Sequence, residues 1–201
     1  MTDVSDPSRG DAARARLIAA AVDAFAEKGF HGTTTRDIAS GAGMSPAALY
    51  VHHRSKEEML YLIARDGHAE TLALVHASMA DADGSTETLR RVVHALAAQH
   101  ARGHTVARII NYELAALEPE HQAEIRALRH EIQQTVRDLI AQGVEAGEFE
   151  VADADLTAAA ILSLCIDLAR WYTEGGRWTP QLVGDHYAAL ALRMVGATVT
   201  P

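Results

Sequence analysis

Apolar positions recur at helical spacing from one end of this chain to the other, and no stretch alternates with period two long enough to argue a strand. Ile18, Ala21, Val22 and Phe25 fall at i, i+3, i+4 and i+7, the buried stripe of a first helix. Gly29 is expected to end it as a left-handed C′ residue, with Phe30 folded back as the apolar contact of a Schellman cap. Three helix starts then crowd between Thr33 and Met59. Thr34 opens one, with Asp37 three residues on as an acidic partner. Ser45 opens the next, with Pro46 at the first helical position, where a missing N–H costs nothing. Ser55 opens the third, and Glu58 completes a Ser-x-x-Glu capping box. That third helix is predicted to run to Met79.

Further on, Asp81-Ala82-Asp83-Gly84-Ser85 predicts a break, after which Thr86 restarts a helix with Leu89, Val92, Val93 and Leu96 on one face. Arg102-Gly103-His104 interrupts it, and Val106 to Leu117 resumes. Pro119 begins the next, carrying Ile125, Leu128, Ile132, Leu139 and Ile140 to Gly147. Asp153 caps a very apolar helix reaching Tyr172, Gly175-Gly176 ends it, and Thr179-Pro180 opens a last helix that stops at Gly196. The expectation is an all-α protein of about nine helices. Gly41-Ala42-Gly43 joins the first two short helices by a turn of helix-turn-helix length. Such a pair, its second helix presenting an N-terminus outward, fits the major groove of DNA. Phosphates sit well at helix N-termini, and Thr33 or Thr34, Ser45 and Lys56 stand at such ends.

The run from Ala20 to Met59 carries Phe25, Lys28-Gly29-Phe30, Thr33-Thr34, Asp37-Ile38-Ala39, Gly43-Met44-Ser45, Leu49-Tyr50, His52 and Ser55-Lys56-Glu57. In order and spacing it resembles the DNA-binding domain of the TetR/AcrR family of bacterial transcriptional regulators. His53 stands where that family usually has an aromatic residue, and Val51 where it often has Tyr. The resemblance implies that Thr34, Tyr50, His52 and Lys56 touch the DNA backbone. It also implies that Ala47, Ala48 and Arg36 approach base edges at the helix opened by Ser45 and Pro46, the alanines reading thymine methyls or leaving room for the groove floor. The blander readings are capping alone for Thr34, Ser45 and Ser55, core packing for Tyr50 and a solvated charge for Lys56. The implied organisation is a disordered tail at 1–10, a three-helix DNA-binding domain at 11–56, and a ligand-binding and dimerisation domain at 57–201. The helix from Ser55 links the two. In that family the final two helices pair with their symmetry mates, which would place Ile161, Leu164, Leu168, Tyr187, Leu190 and Met194 in a homodimer interface. The alternative is a helix buried in a monomer core.

A net charge of −9 looks wrong for a DNA binder until it is divided along the chain. Residues 1–56 carry seven Lys and Arg against six Asp and Glu, whereas residues 57–201 carry eleven against twenty-one. The acidic part would turn away from DNA and orient the basic end toward it. No apolar run is long enough for a transmembrane helix, and the N-terminus lacks the apolar region of a signal peptide, so a cytoplasmic protein without membrane contact is expected. Cys165 is alone, which excludes an intrachain disulfide and a thiolate metal site and suggests a buried thiol.

The body is expected to hold an effector. Arg108-Ile109-Ile110-Asn111-Tyr112-Glu113, Leu168 to Tyr172, Gly175 to Pro180 and the ending Tyr187 to Gly196 resemble regulators of fatty-acid or steroid catabolism that respond to acyl-CoA thioesters. Such a ligand needs an apolar tunnel and cations for its phosphates, which guanidinium forks supply. Arg108, Asn111, Tyr112, Arg170 and Trp171 are the candidates. The competing reading for Arg108 and Arg170 is an internal salt bridge, with Glu113 or Asp167. His100 and His104 have a chelating spacing, yet Gly103 between them breaks the helix, and no third ligand converges. No cofactor or metal is expected. Nucleophile-elbow, zincin and P-loop motifs are all missing, so no enzyme is expected. A ligand-responsive dimeric repressor on a palindromic operator leads. A DNA-binding regulator acting through a protein partner, and a metal-binding helical protein, are the alternatives.

Overall fold

The computed structural model describes residues 9–80 and 82–197, and the elements among them are nine α-helices and one short 3-10 turn. They are α1 (Arg9–Gly32), α2 (Thr35–Gly41), α3 (Pro46–His52), α4 (Lys56–Met79), α5 (Gly84–Arg102), α6 (His104–Glu113), the 3-10 turn Leu114–Ala116, α7 (Pro119–Glu145), α8 (Ala154–Trp171) and α9 (Pro180–Met194). The tail expected at 1–10 lies outside the described residues as far as residue 8, and Arg9 and Gly10 already belong to α1.

Local chemistry accounts for most of these boundaries. Thr34 and Asp37 form a complete capping box, Thr34 accepting from the Asp37 N–H and Asp37 from the Thr34 N–H. Ser45, Ser55, Asp153 and Thr179 cap their helices through the side chain, as expected from their type. The box at Ser55 is only half closed. Ser55 accepts from the Glu58 N–H, but Glu58 reaches one residue further back, to the Arg54 N–H.

Gly29 behaves differently from the expectation. At φ 69 and ψ 167 it lies outside the left-handed helical region, in a conformation essentially reserved for glycine. The helix kinks there and resumes for one more turn, so no Schellman cap forms. Phe30 still folds back, its ring centroid 5.5 Å from that of Phe25. The Schellman pattern appears one helix later. Gly43, at φ 67, donates to the Ser40 carbonyl, and Met44 donates to the Ala39 carbonyl, turning the chain from α2 into α3.

Two apolar cores organise the molecule. The first gathers Leu17, Phe25, Ile38, Leu49, Met59 and Leu60, and also takes Ile109 and Ile110 of α6, Leu117, and Ile125 of α7. It therefore runs across the expected boundary at residues 56–57. The second joins α5, α7, α8 and α9 through Leu89, Leu96, Ile140, Ile161, Leu168 and Leu192. Helix α4 contributes to both, with Met59 to Ala64 in the first and Val75 in the second. The start of α5 is held by a distant residue. Asp83 makes no capping bond, and the Glu148 carboxylate accepts instead from Ser85 N and Thr86 N at 3.0 and 2.8 Å. No described helix is long and apolar enough to cross a membrane.

Candidate DNA-binding surface and effector cavity

Helices α2 and α3 form the outer end of the first core. Thr34, Arg36, Ser45, Pro46 and Ala47 are exposed, Ala48 and His52 are half-buried, and Tyr50 is 56% exposed. A residue packed into the core would not show that exposure. The Tyr50 hydroxyl lies 3.2 Å from Thr35 Oγ1, which ties the middle of α3 to the first turn of α2. Thr35 was not among the expected contacts, and its place beside Tyr50 depends on how the two helices cross. Asp37 is held well below the usual carboxylate range by Lys28, whose ammonium lies 2.8 Å away, and by Thr34.

Two expected DNA contacts face inward. Thr33 is 1% exposed, and its hydroxyl sits 2.8 Å from the Gly29 carbonyl and 3.0 Å from that of Ala24. The kink at Gly29 frees carbonyls at the end of α1, and Thr33 satisfies them. Lys56 donates to the carbonyls of Phe30 and Thr33 at 2.7 and 2.8 Å, and its ammonium lies 4.4 Å from the Phe30 ring centroid. It staples the end of α1 to the start of α4. His53 fills the usual aromatic position as a buried ring, 4% exposed, with Nε2 unpartnered. Burial lowers its pKa, which keeps the ring neutral and able to pack as an aromatic would.

The body is hollow. A cavity of about 770 Å³ opens between α4, α5, α6, α7 and α8, within the range usual for small-molecule sites. Its apolar walls include Leu96, Ile110, Ile125 and Leu162, and its polar residues include His68, Thr71, Gln99, His100 and Gln133. Arg126, Arg129 and His130 are exposed and border the opening. Cys165 also lines it, buried, with its thiol pushed up to about 12 by burial and thus protonated at neutral pH.

Of the five expected ligand residues, only Asn111 borders this cavity. Arg108 and Tyr112 lie on the surface of α6. Arg170 is exposed and paired with Asp167 at 2.8 and 2.9 Å, the salt bridge weighed as the competing reading. Trp171 is 38% exposed and meets Trp178 edge-on outside the cavity. Arg126 and Arg129 went unnoticed, although the signal was present. Gln122, Arg126, Arg129 and Gln133 recur at i, i+4, i+7 and i+11 along α7, a polar stripe beside Ile125 and Ile132.

Helices α4 and α7 both line the cavity and enter the core of the helix-turn-helix end. Glu57, in the first turn of α4, accepts from the Glu118 N–H at 3.0 Å and pairs with His121 at 2.8 Å. The His121 ring stacks on Tyr61 at 3.8 Å, and the Tyr61 hydroxyl donates to Glu124. Glu57 raises the pKa of His121. His100 and His104 do not converge. Their Nδ1 atoms bond the Leu96 and Ala101 carbonyls, and they border different concavities.

On α8 and α9, Leu164 and Met194 are exposed, while Tyr187 and Leu190 are half-buried. Ile161 and Leu168 are 1% and 0% exposed, spent on the core of the protomer itself. The helical stripe that packs on α5 and α7 takes them inward. Leu156, Trp178 and Leu182 are exposed in addition.

A helix-turn-helix end joined by a shared helix to a hollow helical body is the architecture of a DNA-binding transcriptional regulator. Residues 17–61 match the family described as bacterial regulatory proteins, tetR family, and residues 82–195 match the tetracyclin repressor-like, C-terminal domain. The chain is 33% identical to the HTH-type transcriptional repressor KstR2 of Mycobacterium tuberculosis, over 89% of this chain and 90% of that one. A tetR-family regulatory protein from Rhodococcus RHA1 superposes with a TM-score of 0.88 at 39% identity, covering 93% and 98% of the two chains. AibR, solved with isovaleryl coenzyme A and operator DNA, shares the fold with a TM-score of 0.81 at 22% identity, over 92% and 99%. The protein belongs to the TetR family of transcriptional regulators and is not an enzyme.

Proposed function

We propose that this regulator represses transcription as a homodimer on a palindromic operator and is released by a hydrophobic effector bound in the body cavity, an acyl-CoA thioester. The observation that carries the reading is the course of α4. Its Gly67–Thr71 turn borders the cavity, and its first turn is stapled by Lys56 to the end of α1 and shares one core with Leu49 of α3. A ligand that favours one setting of α4 thereby favours one spacing of the two heads, and operator DNA must oppose that ligand by the same factor. Half-sites about 34–36 Å apart require a two-fold axis. Exposed apolar side chains on α8 and α9, among them Leu164, Leu182 and Met194, suit that interface, which would cover them.

Residues 11–56 then serve as the DNA-binding domain and 57–201 as the sensing domain, coupled rather than separated at α4. Thr34, Ser45 and Tyr50 contact phosphates, while Ala47 and Ala48 approach the bases. For the effector, Arg126 and Arg129 take the role expected of Arg108 and Arg170, since they border the cavity mouth where coenzyme A phosphates would emerge. AibR has been solved with both classes of ligand, which supports the reading. The test is a mobility-shift assay on DNA upstream of the protein's own coding region, titrated with medium-chain, long-chain and steroid-derived CoA thioesters. Release is expected, with Arg129→Met insensitive to ligand and Arg170→Met fully responsive. DNA binding that no thioester weakens would favour regulation through a protein partner.

A further inference from the structure

The inner wall of the cavity has an unusual polarity, and it deepens the reading above. His68 on α4 and His100 on α5 both line it. Each places Nδ1 against a main-chain carbonyl one turn back, His68 at 2.7 Å from Ala64 and His100 at 2.9 Å from Leu96. A carbonyl only accepts, so Nδ1 must carry the hydrogen in both rings. Burial lowers the pKa of both, and Arg129 and His100 hold His68 down further. A neutral imidazole has one N–H, and here it is already used. Nε2 of each ring is therefore a bare acceptor on the side away from its own helix, with no protein donor to it among the described residues.

Beside them, Thr71 spends its one hydroxyl hydrogen on the Gly67 carbonyl at 2.8 Å, which leaves its oxygen as a further acceptor. Gln99 turns Oε1 toward Thr71 Oγ1 at 3.4 Å, which leaves its NH2 as the amide donor of this group. Acceptors outnumber donors on this wall. A ligand carbonyl could accept from the Gln99 amide but would set its lone pairs against those of both imidazoles and of Thr71. A hydroxyl would donate to an imidazole Nε2 and accept from the Gln99 amide.

From this juxtaposition we infer that the effector carries a hydroxyl group on its apolar portion, donated to Nε2 of His68 or His100, and that the site rejects the corresponding ketone. The cationic mouth at Arg126 and Arg129 sets where an anionic end lies, whereas the His68–His100 wall sets the identity of the buried end. The hydroxyl assignment rests on the effector reading of the cavity, and the His68–His100 wall keeps its polarity whether or not the anionic end is coenzyme A.

The experiment is calorimetry on the full-length protein with matched ligands. One set is cyclohexylacetyl-CoA, with its derivatives bearing a hydroxyl or a keto group on the ring carbon opposite the chain. A fused two-ring set repeats the comparison, and both sets are also tested as free acids. The hydroxyl form should bind about tenfold more tightly than the parent and the ketone no better than the parent, a difference of roughly 1.4 kcal/mol. Whichever of His68→Leu and His100→Leu removes the accepting ring should erase most of that preference, while both preserve affinity for the unsubstituted ring. Should the free acids keep the order hydroxyl over ketone while no thioester binds, the coenzyme A assignment fails and the hydroxyl assignment stands. A ketone that binds as well as the alcohol, a preference that survives in both histidine variants, or no binding in any series would overturn the inference.

Discussion

The two ends of this molecule are built on opposite principles. Around α1, α2 and α3 the core is filled, with Leu17, Phe25, Ile38 and Leu49 at most 2% exposed, and the helix caps are paired within three residues of one another, although buried His53 Nε2 stays unpartnered. The body packs as tightly on the side of α9, yet between α4 and α8 it keeps a cavity of about 770 Å³ into which His68, His100 and Gln99 project unpaired capacity. A surface that must meet one DNA shape gains from rigid, locally satisfied structure. A sensor needs unsatisfied groups, because they give a ligand something to bind and a way to bias α4.

The sharpest way to break that contrast is at α3. Ala47→Asp puts a carboxylate on the exposed first turn of α3, where the helix dipole tolerates it but DNA phosphates would not. Operator affinity should fall roughly a hundredfold or more, with the melting temperature unchanged. Equal DNA affinity in a mobility-shift assay would remove α3 from the interface.

Lys56→Met comes next. The side chain donates to two carbonyls and rests over Phe30, so its loss should cost about 2 kcal/mol of stability in denaturant unfolding. A lysine that served only a phosphate would leave stability untouched and lower the salt dependence of DNA binding instead. The measured pair of changes distinguishes a head stapled from within from one held by DNA.

A smaller effect is expected in the body. Glu148 caps α5 across more than sixty residues of sequence, and its two backbone bonds hold its carboxyl below the usual range. Glu148→Gln should lose about 1 kcal/mol near neutral pH. Because the folded pKa is depressed, the wild-type advantage is present above the unfolded value and disappears as pH falls through the folded one. An advantage that persisted in acid would contradict the assignment.

The smallest effect concerns the link between the two ends. His121 has its pKa raised by Glu57, so the stabilisation from this pair is whole below the unfolded value of about 6.5 and is lost as pH rises through the folded value. The stability difference between wild type and His121→Gln should therefore shrink as pH rises from the unfolded value through the raised folded one. A difference independent of pH would reduce the contact to the stacking on Tyr61.

Most helix boundaries were legible in the sequence because their causes are local. A capping Ser or Thr acts on an N–H two or three residues away, and an apolar stripe needs only a period. Thr34, Ser45, Asp153 and Thr179 cap their helices at the positions read from the chain. Thr33 and Lys56 were misread because Gly29 adopts ψ 167 instead of a helical value and turns the following carbonyls toward them. In the same way, an arginine among apolar neighbours reveals nothing of the side it faces. Arg170 and Arg129 both interrupt apolar stripes, and only the crossing of α7 with α4 and α8 decides that Arg129 borders the cavity while Arg170 turns outward to Asp167. The sequence by itself determined the type of the elements and most of their ends, through interactions that span a single helical turn. The tertiary structure alone decided which polar residues share one space, because the orientation of each helix about its axis is set by packing between segments far apart in the chain.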